Sequence, residues 1–448
     1  MILTWIKWVN QVLWTLVLPI SLVGLSSYMM IRLRLQPLRR LKDGLRVLKS
    51  RPHKEAQGDL SPIAALSLAL GATLGMGNIV GVLFAIRIGG PGALFWMWVV
   101  GLMGMSLKYA ETILSVKYRQ RDPKGQLVGG SMYYLEHGVG AQWLGKLFAA
   151  TVIIAVLAGI GTFPQVHSIV DVFTSTFDVP TIPTAIGITL LVAYVSFGGL
   201  QRTSAMTLVI IPSMVVLLLM GSVYLLLLNA SAIPMAFRMI FQEAFAWEPL
   251  ATGGGGYGIK VAIDQGLRRG IFSNESGMGS APIAAASGRV RFPAEQGSLH
   301  MLEVLLDTLV INTLTGLVFI TSGAYQMAGS ESQILNTAYR DPLGLGRLTL
   351  TVSLIFFALT SIIVWSYYGA QCAGYLFGHL GARGFRLAFV VVIFLAGFVG
   401  WNTTWAVADF ATAMMVLPNL VGVFLLRREV LDECKRYERS KSQSKTNA

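Results

Sequence analysis

Gly71-Ala72-Thr73-Leu74-Gly75-Met76-Gly77-Asn78-Ile79-Val80-Gly81 lies inside an apolar segment, about residues 60–86, long enough to cross a bilayer. Four glycines in eleven residues, with a Thr and an Asn between them, make a poor continuous helix. Each Gly costs a helix interior about 1 kcal/mol relative to Ala. A polar kink at membrane depth exposes peptide groups, which is tolerated only where they face a cavity, an ion or a bound solute. The stretch therefore reads as a broken transmembrane helix whose break is a binding site.

The rest of the chain agrees with a lipid setting. Of its 448 residues 54% are hydrophobic and only 13% charged, whereas soluble proteins carry about 25% charged residues. The fold class that follows is an all-α polytopic membrane protein. Cys372, in an apolar run, and Cys434, in the basic tail, occupy environments too different to suggest a disulfide.

Hydropathy resolves about eleven spans, at roughly 11–31, 60–86, 93–116, 144–175, 181–198, 204–228, 257–288, 298–323, 346–377, 385–401 and 404–426. Each is near the ~20 residues a helix needs to cross the hydrocarbon. The first is not a signal peptide, because its basic cluster follows the apolar run and no small-residue cleavage site is present. The fourth bends near Pro164, and a polar loop from Gly253 to Gly256 leads into the seventh.

Lys and Arg set the orientation. The loop after the first span holds nine of them, from Arg32 to Lys54, and the tail holds seven, from Arg427 to Lys445. Lys117, Arg119, Arg121, Lys124, Lys146, Arg202, Arg289, Arg291, Arg383 and Arg386 fall on the same side, and about five fall on the other. This predicts an outside N-terminus and a cytoplasmic tail. The net charge of +13 is then a topology signal and a contact for lipid headgroups, and nucleic acid is not a partner.

Setting the first span aside leaves two sets of five, which must run in opposite orientations. The expected organisation is an N-terminal helix and basic loop (1–59), a first repeat (60–230), an extracytoplasmic loop (231–256), a second repeat (257–428) and a basic tail (429–448). Gly75-Met76-Gly77-Asn78 opens the first repeat and Gly277-Met278-Gly279-Ser280 the second. Interrupted helices at corresponding places in two halves mark an inverted-repeat secondary transporter with a midplane site.

Within the seventh span, Phe272-Ser273-Asn274-Glu275-Ser276 is too polar to face lipid, and an ionisable group at such depth is functional by default. Glu275 either contacts a ligand or pairs with a cation to hold the break. Asp264 and Arg268, and Lys108 and Glu111, are spaced to pair along one helix face. Asp307 and Asp409 are lone intramembrane acids, each a relay for a proton or cation or a cap for a neighbouring helix. Thr162, Gln165 and His167 surround Pro164. Thr360 and Ser361 either bond back to their own helix or complete an oxygen cage for a small cation. No nucleotide-binding loop, Cys/His metal spacing or nucleophile–base pairing is present, so the chain does not read as an enzyme.

These motifs, with Ile88-Gly89-Gly90-Pro91-Gly92-Ala93, Phe95-Trp96-Met97-Trp98, Gly129-Gly130-Ser131-Met132-Tyr133-Tyr134 and Trp365-Ser366-Tyr367-Tyr368-Gly369, resemble the bacterial alanine or glycine:cation symporter family, in order over about residues 60–430. The resemblance implies a leucine-transporter-like 5+5 inverted repeat with two broken helices, preceded by one extra helix. It also implies sodium-driven uptake of small neutral amino acids such as alanine or glycine across the bacterial cytoplasmic (inner) membrane, with no obligatory protein partner.

Carried over by matching motif, the substrate site would comprise Gly75, Met76, Gly77, Asn78, Gln165, Phe272, Ser276 and Gly277. The carboxylate would lie at the amides of Met76 and Gly77, at the positive end of a half-helix. Sodium, the coupling ion, would take the carbonyls of Gly71 and Leu74 and the hydroxyls of Thr360 and Ser361. The sequence departs from the family pattern at Met76 (usually Thr), at Thr162 and His167 (usually Asn), at Val364 (usually Gly) and at Ala370 (commonly an acid). Two other readings stand beside this one. The first is proton coupling or a different amino acid, with His167, Glu275, Asp307 and Asp409 as proton sites. The second is a non-transporting amino-acid sensor.

Overall fold

The computed structural model describes residues 2–49, 56–246, 258–398 and 401–446. The Gly253–Gly256 loop and the basic residues Arg51 and Lys54 lie outside them. Apart from a two-residue antiparallel ladder, Gln120–Arg121 with Leu127–Val128, the described chain is helical. In order it runs through α1 (Thr4–Arg32), α2 (Leu41–Lys49), α3 (Pro62–Thr73), α4 (Val80–Gly89), α5 (Gly92–Lys117), α6 (Gln142–Ala158) and α7 (Phe163–Phe177). Next come α8 (Thr181–Phe197), α9 (Gly199–Leu228), the amphipathic α10 (Ile233–Ala244), α11 (Ile259–Asn274) and α12 (Ala281–Ala285). The remainder comprises α13 (Pro293–Ser322), α14 (Glu331–Ala338), α15 (Leu345–Ala396), α16 (Trp401–Leu425) and α17 (Arg427–Thr446).

Among the described residues six helices are long and apolar enough to cross a membrane, and two bent helix pairs also qualify. The outer faces of the bundle carry exposed Leu190, Val209, Leu227 and Leu387, each more than 60% accessible. Apolar surface on that scale is stable only against lipid. The interior holds Lys108, Glu111, Glu275, Glu303 and Asp307, all buried. The protein is a multi-pass membrane protein with its charge inside and its grease outside.

Helix α5 is the axis of the bundle, and small residues let its neighbours approach it. A Cβ at Gly266 of α11 would lie 2.5 Å from the Ala93 carbonyl oxygen, and one at Gly270 would lie 2.4 Å from Val100 Cγ1. On the other side of α5, a Cβ at Gly297 of α13 would lie 2.8 Å from the Tyr109 ring.

One boundary differs from the hydropathy reading. The fourth span is two helices, α6 and α7, separated at Gly159–Thr162, because Pro164 cannot continue a helix upstream of itself. The ninth and tenth spans are separate, as hydropathy reads them: α15 is two helices that meet at Gly378, where φ is 68° and the backbone leaves the helical region. The tail is helical too, turning 60° away from the end of α16.

The ion pairs also differ. Lys108 pairs with Glu303 of α13 at 3.1 Å, while Glu111 accepts from the Asn419 side-chain amide at 3.0 Å and from the Gly277 amide at 3.4 Å. Arg268 pairs with Asp409 of α16, whose backbone carbonyl also takes the Trp14 indole N–H of α1. Interhelical partners displaced the intrahelical ones because a buried charge gains most from a partner fixed across the packing interface.

Lys108 and Glu303 are both fully buried, and His300 Nδ1 lies 2.9 Å from the other Glu303 oxygen. Removing Lys108 leaves the carboxylate with that partner alone, and breaking such a buried pair costs about 3–5 kcal/mol. Lys108→Met should lower the unfolding temperature in detergent markedly, and adding Glu303→Gln should recover part of the loss. Equal stability of Lys108→Met and wild type would show that the pair does not support the fold.

Candidate substrate and ion site

The first helical break is built by redirected amides. Helix α3 ends at Thr73; Met76–Asn78 form one 3-10 turn, and α4 continues at 65° to α3. In an uninterrupted helix the Gly75 amide would close on the Gly71 carbonyl, and the Asn78 amide on that of Leu74. Instead, Gly75 N–H donates to Asn78 Oδ1 at 3.0 Å and Asn78 N–H donates to the Gly75 carbonyl at 3.2 Å. The carbonyls of Gly71 and Leu74 thus lose their helical donors at the break. Ser361 of α15 reaches the same place, donating to the Ala72 carbonyl at 3.2 Å. Its neighbour Thr360 donates to the carbonyls of Phe356 and Phe357 in its own helix.

Across this break stands Gln165, in the first turn of α7. The Thr162 side chain, which precedes that turn, donates its hydroxyl to the Val156 carbonyl and so ties α7 to α6. A Cβ on Gly75 would lie 3.4 Å from Gln165 Nε2 and 3.6 Å from Ser361 Oγ, so Gly75, Gln165 and Ser361 converge. Gln165 is 3% exposed, and its side-chain carbonyl has no hydrogen-bond partner among the described residues. An unsatisfied buried acceptor costs about 1–3 kcal/mol, which a donor from a bound solute would relieve. Phe272 closes another side: a Cβ on Gly77 would lie 3.4 Å from its ring. Met76 is 1% exposed and contributes bulk at the turn. On the α4 side of the break, a cavity of about 360 Å³ is lined by Val80, His167, Ser168, Asp171, Glu331 and Leu354.

The side chain of Asn78 is engaged by protein. Its Nδ2 lies 2.5 Å from Asp307 Oδ1, 2.8 Å from Asn312 Oδ1 and 3.2 Å from Ser273 Oγ. Ser273 donates to Asp307 Oδ2 at 2.8 Å, and Thr308 does so at 2.7 Å. One cluster thereby joins the two broken segments, Asn78 from the first and Ser273 from the second, through α13. Asp307 and Asn312 share a face because Leu305–Ile311 is a π-helical turn, in which the Asn312 amide bonds the Asp307 carbonyl. Asn312 escaped the sequence reading; a polar residue five positions after an intramembrane acid was its only signal.

Ser276 and Gly277 sit elsewhere. Ser276 packs against Gly104 of α5, and its amide donates to Asn274 Oδ1 at 3.0 Å. Gly277, with φ +80°, donates to Glu111, and its carbonyl accepts from Asn419 at 2.8 Å. Glu275 takes the Ser280 hydroxyl at 2.5 Å. The second break thus divides into a half facing the first break (Phe272, Ser273) and a half facing α5 and α16.

A helical bundle with two helix breaks joined by a buried polar cluster is the arrangement of a secondary transporter. The whole chain, residues 1–448, matches the sodium:alanine symporter family, and the protein belongs to it. An uncharacterized transporter of Haemophilus influenzae is 43% identical, over 96% of this chain and 94% of its own length. The sodium/alanine symporter AgcS of Methanococcus maripaludis is 36% identical, over 98% of each. The crystal structure of MhsT in complex with L-phenylalanine superposes with a TM-score of 0.61, covering 84% of this chain and 92% of that one at 14% identity. It shares the leucine-transporter-like fold.

Gly75 has extended backbone, φ −149°, so Gly75→Ala adds a methyl without backbone strain. Its methyl would occupy the space between Gln165 and Ser361. The expected outcome is unfolding close to wild type with substrate affinity lowered about tenfold, the equivalent of ~1.4 kcal/mol. Undiminished affinity in a binding titration would remove Gly75 from the site.

Proposed function

We propose that the protein is a sodium-coupled symporter that takes up a small neutral amino acid by alternating access. The observation that carries this reading is the buried, unpartnered Gln165 carbonyl beside Gly75 and Ser361. It is an acceptor suited to a substrate ammonium, placed at a break whose half-helix amides at Met76 and Gly77 suit a carboxylate. Met76 and Phe272 limit the space for a side chain, which favours alanine or glycine. The name of AgcS as a sodium/alanine symporter points the same way.

Sodium takes the carbonyls of Gly71 and Leu74 with the hydroxyls of Ser361 and Thr360 in this reading, an all-oxygen set suited to a hard cation. The two carbonyls, which have lost their helical donors, support this reading, as does Ser361, whose hydroxyl reaches the same break at the Ala72 carbonyl. Thr360 would turn from its own helix to join. Residues 60–230 and 257–428 form the two inverted repeats, with 1–59 ahead of them and 429–448 behind. In this reading the N-terminus lies outside and the tail in the cytoplasm, across the inner membrane, which the Lys and Arg excess supports.

Uptake of labelled alanine into proteoliposomes should collapse when the sodium gradient is removed; gradient-independent uptake would sink the coupling. Thr360→Ala and Ser361→Ala should each raise the sodium concentration for half-maximal uptake, by about tenfold where a lost ligand costs ~1.4 kcal/mol. Unchanged sodium dependence would take that residue out of the ion site.

A further inference from the structure

The tail helix α17 has two faces at helical spacing. Val430, Cys434 and Tyr437 are buried, and with Glu438 and Lys441 they dock on the basic loop and α5. Arg40 donates to Glu438 at 2.9 Å, to the Cys434 carbonyl at 3.5 Å and to the Tyr109 hydroxyl at 2.6 Å. Lys441 donates to Asp43 at 2.7 Å.

The opposite face turns Lys435, Arg436 and Arg439 toward Arg291 and Phe292, and together with Asp432 they line a cavity of about 540 Å³. The guanidinium groups of Arg291 and Arg436 lie 5.2 and 5.9 Å from the centroid of the same Phe292 ring. The cavity thus gathers four cations against one carboxylate. Lys435 pairs with Asp432 at 3.2 Å, and Arg436 is held at 3.8 Å from Glu433. The positive excess stays, because Glu433 also serves Lys117. Water screens these exposed charges, but their convergence makes the cavity attractive to an anion, and guanidinium groups favour phosphate.

Position selects the source of that phosphate. Arg291 and Phe292 immediately precede the membrane-spanning α13, and α17 turns 60° from the end of α16. The cavity therefore lies where hydrocarbon gives way to headgroups. We propose that it binds the phosphate of an anionic lipid headgroup, which holds α17 from the side opposite Arg40. In the cell this rests on the cytoplasmic placement of the tail proposed above; in a nanodisc both faces meet the lipid, so the test does not depend on orientation.

Full-length protein is reconstituted in nanodiscs of phosphatidylcholine alone, of phosphatidylcholine with phosphatidylglycerol, and of phosphatidylcholine with inorganic phosphate in solution. The unfolding temperature and the phosphatidylglycerol retained in native mass spectra are then measured. At about 1 kcal/mol per basic residue, Arg436→Gln with Arg439→Gln should lower phosphatidylglycerol retention about thirtyfold. Both side chains are exposed, so the variant keeps its fold. The charge-matched control, Lys124→Gln with Lys146→Gln, alters exposed positions outside α17 and the cavity lining and should retain lipid as wild type does. Equal retention by the cavity variant and wild type would overturn the site. Stabilisation by inorganic phosphate equal to that by phosphatidylglycerol would overturn the lipid assignment in favour of a soluble anion.

Discussion

The side-chain amide of Asn78 is the constraint on which the interior depends. Its oxygen takes the Gly75 amide and so holds the first break open; its nitrogen reaches Asp307, Asn312 and Ser273. The same group that shapes one broken helix ties it to the other. Burying these polar atoms is tolerable because each member of the cluster has a partner, and a partly satisfied network would be worse than an apolar core. The Gln165 carbonyl, beside Gly75 at the first break, has no such partner among the described residues.

The energetic logic of the molecule follows from its solvent. A lipid-facing surface supplies little driving force between helices, so packing rests on close backbone approach and on polar contacts between helices. Both are concentrated on α5. Its glycine-lined neighbours α11 and α13 approach from two sides, and Lys108 and Glu111 on the same helix reach α13, α16 and the second break.

What was legible in the sequence was local. Glycine and Asn spacing located the first break, and a count of lost helical hydrogen bonds accounts for the freed carbonyls of Gly71 and Leu74. The partners of charged groups were not legible. Asp264 and Arg268, or Lys108 and Glu111, are adjacent on a helix face, yet Arg268 and Lys108 found Asp409 and Glu303 on other helices. No periodicity encodes which distant helix will lie opposite. The π-helical turn at Leu305–Ile311 hid Asn312 for a related reason: it brings residues five apart onto one face, a spacing that a 3.6-residue period assigns to different faces. Ser276 and Gly277 share a segment with Phe272 and Ser273 but lie on its other side, a distinction made only by the packing of α5 and α16.

The two breaks differ in the room around them. A Cβ at Gly81 would meet nothing within 4 Å, and one at Gly75 would make only ordinary contacts. At Gly277 and Gly279 the same atom would lie 2.4 Å from Leu22 of α1 and 2.5 Å from Ser131 Oγ. The first break is a joint with clearance, whereas the second is wedged against the N-terminal helix and the Ser131 turn. The clearance does not extend to Gly71, which packs on Val364 and Thr207. A change of helix angle would meet less steric resistance at Gly75 and Gly81 than at Gly277 and Gly279, where Leu22 of α1 and Ser131 close in.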